Sequence, residues 1–222
     1  MRPLTRRALM LAGLAGSGPL AGCAAVQHLP VFGTLFGEWP QEAGGPVRTP
    51  DYDRVYAAVR GEPVAVPAFD YTNMDPLFLR ANVPYGGNER PGTVVVDLAR
   101  RLIHRVEPGQ RATRYGIGVG PEGATVRGTG EIRGRQRWPD RSAATAQIGR
   151  GPSARAPGHP PLGARLLLVT ARGRDTGLSI HGTAAPDTVG TQTRSGSVRM
   201  IDQDVIDLFG RAVDGSPVLV VG

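Results

Sequence analysis

The apolar residues in the C-terminal part of the chain occur in short runs rather than in helical stripes. Each run is β-branched or alternates between apolar and polar residues, and turn residues such as "EPGQ" (107–110) separate them. Such runs are typical of β-strands. The sequence therefore predicts strands at "TVVVDL" (93–98), "RLIHRV" (101–106), "RATRYGIGV" (111–119), "GARLLLVT" (163–170), "LSIHGT" (178–183) and, as a buried strand, "PVLVV" (217–221).

One segment has the period of a helix instead. The stretch "IDQDVIDLFGRA" (201–212) offers Asp202 as an N-cap and places Val205, Ile206 and Phe209 on one face. No internal repeat is present. The pattern predicts a mainly β domain at 91–222 with one substantial helix near the C-terminus.

The residues before this domain are punctuated by glycine and proline. Residues 23–67 read as a tether that ends in a short helix at "DYDRVYAAV" (51–59), and 68–90 as an extended strap lying over the domain. A basic, loop-like stretch at 134–161 interrupts the strands. A loop of this length is either functional or a poorly specified surface insertion.

Composition and charge narrow the class of protein. The 222 residues suffice for one good-sized domain with a leader, or for two small domains at most. A content of 40% hydrophobic residues fits one packed core and excludes a membrane bundle. All 26 basic residues are arginines. The first 22 residues carry three of them and no acidic residue, so the rest of the chain accounts for +4 of the formal net charge of +7. A charge of this size gives no ground for nucleic-acid binding.

The first 22 residues predict export. A basic start precedes an apolar stretch too short to span a bilayer and then small residues, as in a signal peptide. Leu20-Ala21-Gly22-Cys23 resembles the lipobox of bacterial lipoproteins, which implies a lipid on Cys23, and Arg6-Arg7 resembles a twin-arginine signal. An ordinary cleaved signal peptide is the alternative. Cys23 is the sole cysteine, so a lipidated chain has no free thiol.

Two short strings carry candidate chemistry: "SIHGT" (179–183) and "RSGSVRM" (194–200), whose Ser197 lies 16 positions after His181. Acyl transfer needs a nucleophile, a base, a group that orients the base, and oxyanion donors. Ser197 is the candidate nucleophile, His181 the base, and the Gly182 carbonyl the orienting group. Backbone N–H groups around Gly196 and Ser197 can form the oxyanion site, and Arg199 either binds a substrate carboxylate or buttresses the turn.

With its surroundings, this pattern resembles the L,D-transpeptidase family, whose catalytic domain is also called YkuD-like. The resemblance runs from about Pro91 to Val221, and more loosely from Val55. It rests on "IHGT…VG…SGSVRM…DQDVIDLF…GSPVLVV", with "PGTVVVDLARRLIHRVEPGQ" and "PLGARLLLV" upstream. It implies a β-sandwich with His181 and position 197 facing a groove, peptidoglycan stem peptides as partners, no cofactor and no metal. It also implies substrate contacts at Thr183, Ser195, Arg199 and Trp138.

The resemblance implies cysteine where this chain has Ser197, and a small hydroxyl residue where it has Arg194. Three functions therefore stay open: a periplasmic, lipid-anchored acyl transferase that uses Ser197, a catalytically inactive peptidoglycan-binding or regulatory lipoprotein, and a lipid-anchored tether. The acceptor amine and the oligomeric state are left open by the sequence.

Overall fold

The computed structural model describes residues 44–120, 126–140, 160–192 and 197–222. Within these ranges the chain is mostly β-sheet, with a short helix before the domain and a longer one near the C-terminus. The helices are α1 (Tyr52–Val55) and α2 (Asp202–Arg211). The strands are β1 (Ala81–Pro84), β2 (Val94–Asp97), β3 (Leu102–Glu107), β4 (Arg111–Gly116), β5 (Gly118–Val119), β6 (Gly128–Arg137), β7 (Arg165–Ala171), β8 (Arg174–His181), β9 (Val198–Arg199) and β10 (Pro217–Val221). The prediction of a mainly β fold with one substantial helix is confirmed.

The described strands form one hydrogen-bonded sheet, in the order β1-β4-β3-β2-β10-β6-β7-β8-β9-β5. Strands from both ends of this order share one buried core, to which β4 contributes Tyr115 and β5 contributes Val119. Strands so far apart in the order can meet only if the sheet folds over on itself, as in a sandwich. Helix α2 adds Val205 and Leu208 to the same core. Each such aliphatic side chain stabilises the fold by about 1.5–3 kcal/mol when fully buried.

The predicted strands follow the apolar runs closely. Strand β10 lies in the middle of the sheet, parallel to β2 and antiparallel to β6, which explains its run of valine and leucine. The hairpin between β3 and β4 turns at Gly109 and Gln110, whose φ angles are 76° and 53°. Glycine adopts such positive φ angles without strain, which explains why "EPGQ" forms the turn between these two strands.

Strand β6 was not predicted from the sequence, and the predicted loop from 134 begins inside it. Gly128–Arg137 is a strand whose only fully buried side chain is Ile132, and its register with β7 shifts between Ile132 and Gly134. An exposed, irregular strand lacks the apolar alternation on which strand prediction depends. The prediction of a loop is therefore wrong for 134–137, and residues 141–159 lie outside the described part.

The cap of α2 also differs from the prediction. The N-cap is Ile201, which makes no side-chain capping hydrogen bond, and Asp202 is the first helical residue. Val205 is fully buried, while Ile206 and Phe209 are half-buried. The carboxylate of Asp202 is used elsewhere, on the backbone N–H of Ala164 at 3.0 Å.

Buried polar contacts tie the tether and the strap to α2. Asp204 is fully buried and accepts hydrogen bonds from Arg80 Nε at 2.9 Å and from the Tyr56 hydroxyl at 3.3 Å. Gln203 donates to the carbonyl of Pro67 at 2.8 Å. Burial raises the pKa of Asp204 to about 6, against the opposing pull of the Arg80 guanidinium.

A second contact joins the tether to β7. Glu62 lies 2.5 Å from Arg165, and both side chains are more than nine-tenths buried. The hydrogen bonds from Arg165 lower the pKa of Glu62, so this carboxylate is ionised at neutral pH. Breaking such a buried pair costs about 3–5 kcal/mol, far more than losing a surface ion pair. Among the described residues before the domain, the segment around Glu62 is therefore packed on β7 rather than loosely attached.

None of the helices among the described residues is both long and apolar enough to cross a membrane.

Candidate active site

Parallel pairing of β8 with β9 brings the two candidate strings together. Ile180 pairs with Val198 and His181 with Arg199, and the N–H of Met200 donates to the His181 carbonyl at 2.8 Å. His181 is the last residue of β8, and Ser197 immediately precedes β9. Two residues that are 16 positions apart in the chain thus become neighbours in space.

The imidazole of His181 is held at both nitrogens. Its Nδ1 lies 2.5 Å from the carbonyl oxygen of Gly182, and its Nε2 lies 2.5 Å from the hydroxyl oxygen of Ser197. A carbonyl oxygen can only accept, so Nδ1 carries the proton of the neutral ring. The lone pair of Nε2 therefore faces the Ser197 hydroxyl, which is the arrangement a general base requires.

The surroundings keep His181 neutral. The residue is buried, and this burial lowers the pKa of its imidazole to about 4. The hydrogen bond to the Gly182 carbonyl opposes the shift, and the nearby positive charge of Arg199 adds to it. Because the pKa lies below neutral pH, the ring is present as the free base that can accept a proton.

Arg199 projects from β9 beside His181. Its side chain is half-buried, and this burial lowers the pKa of the guanidinium. A cation here can bind a carboxylate or hold the turn. The structure brings Arg199 to the site and leaves both roles as predictions.

Two further predicted substrate contacts have partners within the protein. The Thr183 hydroxyl accepts from the backbone N–H of Ala185 at 3.1 Å, so it closes the turn that follows His181. The Trp138 indole N–H donates to Glu62 at 2.5 Å, at the end of β6. Substrate binding by Thr183 and Trp138 stays a prediction.

Several predicted residues lie outside the described part of the chain. Among the site residues these are Ser195 and Gly196, and near the N-terminus Cys23. Their predicted roles, in substrate binding, the oxyanion turn and lipid attachment, remain expectations from the sequence. The described residues include no group of three or more His, Cys, Asp or Glu side chains arranged to hold a metal ion.

A small cavity of about 110 Å³ lies beside the turn that follows His181, and Thr183 is one of its lining residues. One wall comes from the tether and strap (Val66, Pro67, Ala68 and Phe69) and the other from the turn after His181 and the start of α2 (Thr183, Ala184, Pro186, Ile201, Asp202 and Gln203). A larger cavity of about 550 Å³ lies between α1 and α2, and neither His181 nor Ser197 lines it. The approach of the tether to the turn after His181 was not predicted, because a contact between distant segments leaves no local pattern in the sequence.

Comparison with known proteins bears on the family of this chain. Residues 91–220 match the family model of the L,D-transpeptidase catalytic domain, YkuD. Comparison with curated proteins gave no match.

Three solved structures are among those to which this chain is similar. L,D-transpeptidase 3 from Mycobacterium tuberculosis is 17% identical with a TM-score of 0.42, covering 66% of this chain and 70% of that one. An L,D-transpeptidase from Mycobacterium smegmatis is 15% identical with a TM-score of 0.43, covering 80% and 82%. The catalytic domain of the Enterococcus faecium L,D-transpeptidase is 17% identical with a TM-score of 0.43, covering 61% and 100%. The family model spans more than half of the sequence, and the chain therefore belongs to the L,D-transpeptidase family.

Proposed function

We propose that this protein transfers acyl groups between peptidoglycan stem peptides, with Ser197 as the nucleophile and His181 as the general base. The observation that carries the proposal is the 2.5 Å approach of His181 Nε2 to the Ser197 hydroxyl, with Nδ1 fixed on the Gly182 carbonyl. Nucleophile, base and orienting group are thus in hydrogen-bond contact, as covalent acyl transfer requires.

The reaction proceeds in two steps, acylation of Ser197 and transfer of the acyl group to an amine. His181 Nε2 takes the hydroxyl proton while Ser197 Oγ bonds to a stem-peptide carbonyl carbon. The carbon–nitrogen bond of that peptide then breaks, and the leaving amine takes the proton from the imidazolium, which leaves an ester on Ser197. In the second step an acceptor amine attacks the ester, a new amide forms, and the proton returns to Ser197 through His181.

The serine makes the base indispensable. A cysteine with a pKa near 8.5 is partly thiolate at neutral pH, whereas a serine hydroxyl stays protonated until a base removes its proton. In this chain His181 is neutral and already hydrogen-bonded to the hydroxyl. The geometry therefore supplies what a serine nucleophile needs and a thiol can partly do without.

A second candidate function is a non-catalytic protein that binds peptidoglycan in the same groove. One feature favours it: the resemblance to the family implies a thiol at position 197, where this chain has a hydroxyl. The carbon–oxygen bond is shorter than the carbon–sulfur bond, so the oxygen sits further back from a substrate positioned for sulfur. A displacement of that kind slows attack by orders of magnitude.

Intact-mass spectrometry separates the two functions. After incubation with a tetrapeptide stem substrate, we expect the wild type to gain the mass of one acyl group, lost in Ser197→Ala. Ser216→Ala is the matched control, because Ser216 is also buried but its hydroxyl accepts from the backbone N–H of Val213 in a turn. Binding of the peptide without any adduct would support the binding protein and overturn the transferase.

We also propose that the chain is exported and anchored by a lipid on Cys23, because "LAGC" follows an apolar export signal. Changing Cys23→Ala should release the protein from the membrane fraction or leave it unprocessed. Fractionation and intact mass of both forms measure this. A variant that stays membrane-bound at the original mass would mean that the lipobox interpretation is wrong.

A further inference from the structure

We propose that Asp202 is a positioning residue for His181: its carboxylate fixes the backbone against which Gly182 is held, and Gly182 in turn fixes the ring. The influence of Asp202 passes through two backbone segments, 163–165 and 182.

The carboxylate of Asp202 occupies a narrow slot between two chain segments. The residue is buried at the start of α2, and its Oδ1 accepts from the N–H of Ala164 at 3.0 Å. A methyl group added at Gly163 or at Gly182 would overlap this same oxygen. The slot therefore exists only because both positions are glycine, and Gly163 also has a φ of 61° that glycine adopts without strain.

The segment held by Asp202 holds Gly182 in turn. The Gly182 N–H donates to the carbonyl of Arg165 at 3.1 Å, and the Gly182 carbonyl accepts from His181 Nδ1 at 2.5 Å. Ala164 is held through its carbonyl as well, because that carbonyl accepts a hydrogen bond from the backbone N–H of Trp138 at 2.9 Å. A continuous path of short contacts thus runs from Asp202 through residues 164 and 165 to Gly182 and the imidazole.

This path matters because the Gly182 carbonyl alone, among the described contacts of the ring, selects its tautomer. If the 163–165 segment shifts, the Gly182 peptide loses its register with β7 and the carbonyl no longer faces Nδ1. The neutral ring then populates the tautomer with a proton on Nε2, which cannot accept the proton of Ser197. The consequence for turnover rests on the proposed function, whereas the consequence for the tautomer does not.

Nitrogen-15 NMR of the histidine rings in the full chain measures the tautomer directly. The wild type should show His181 with the proton on Nδ1. Asp202→Ala should show a mixture of both tautomers, because the Ala164 N–H loses its acceptor. Asp202→Asn keeps an oxygen acceptor and should restore the wild-type signal. Asp97→Ala is the matched control: Asp97 is a buried carboxylate that accepts from the N–H of Arg100 at 2.9 Å at the end of β2.

The second readout is the rate of adduct formation with the tetrapeptide stem substrate. Asp202→Ala should slow it by roughly 10- to 100-fold, as expected for a small misplacement of the base. Asp202→Asn should stay within about threefold of the wild type, and substrate binding should be unchanged in both. If the wild type forms no adduct, the proposed function fails while the NMR measurement still decides the role of Asp202.

An unchanged Nδ1 tautomer in folded Asp202→Ala would overturn the proposal, and so would an Asp202→Asn variant as altered as Asp202→Ala. If Asp202→Ala does not fold, Asp202→Glu replaces it in the same measurement. Glutamate keeps the charge but is one methylene longer than the slot beside Gly163 and Gly182 can hold. We then expect the same mixture of tautomers, and a wild-type signal in Asp202→Glu would equally overturn the proposal.

Discussion

Replacing Ser197 with cysteine is expected to raise the rate of carbapenem adduct formation by at least about 100-fold over the wild type. Two physical effects act in the same direction. The thiol is partly ionised near neutral pH, and the imidazole that lies 2.5 Å from the Ser197 oxygen favours its ionisation further. The longer carbon–sulfur bond also carries the reacting atom forward from the buried position of the serine oxygen. Intact mass against time, at one carbapenem concentration, measures the change.

The matched control is Ser216→Cys, which places a thiol at another buried serine outside the site. It carries the same Cys23 as the wild type, so any reaction at Cys23 appears equally in both variants. A folded Ser197→Cys variant that gains no more adduct than Ser216→Cys would contradict the expectation. The site would then be unable to position an acyl donor. Of the three candidate functions, the lipid-anchored structural protein without an acyl substrate would be favoured over the transferase and the peptidoglycan-binding protein.

The strands that were predicted from the sequence are those whose side chains are largely buried, because burial selects apolar residues. In β2 all four residues are buried, and in β10 burial alternates with partial exposure, so the run of valines records the core directly. Strand β6 could not be predicted in the same way. It is held by pairing with β7 and β10 on either side, and backbone hydrogen bonds place no demand on the polarity of its side chains.

The candidate site was predictable only in part. The resemblance carried by "SIHGT" and "SGSVRM" made His181 and Ser197 the candidate residues, and the parallel pairing of β8 and β9 brings the two strings together in space. Asp202 was interpreted as a helix cap because its neighbours in sequence suggest one. Its hydrogen bond from Ala164 and its fit beside Gly163 and Gly182 depend on how β7, β8 and α2 are placed together, and no local sequence pattern indicates that placement.

The pH dependence of acylation should follow the buried imidazole. The pKa of His181 lies near 4 rather than 6.5, so the ring remains a free base as the pH falls from 7 toward 5. Below about pH 4 the ring is protonated and cannot accept the hydroxyl proton. The rate of adduct formation by the wild type should therefore be level above that point and fall tenfold per pH unit below it.

Changing His181→Ala is expected to lower the acylation rate of the wild-type serine protein by about 100- to 10,000-fold while binding of the stem peptide is retained. The loss should be smaller in a Ser197→Cys background, because a thiol that ionises on its own can attack without the base. His104→Ala is the matched control, since His104 is also buried but lies on β3. The comparison needs the adduct rates and the peptide affinities of the wild type, His181→Ala, Ser197→Cys, the double variant and His104→Ala. A wild-type adduct rate that persists undiminished in His181→Ala would rule out the His–Ser mechanism, and equal losses in the serine and cysteine backgrounds would show that His181 supports the turn rather than accepting the proton.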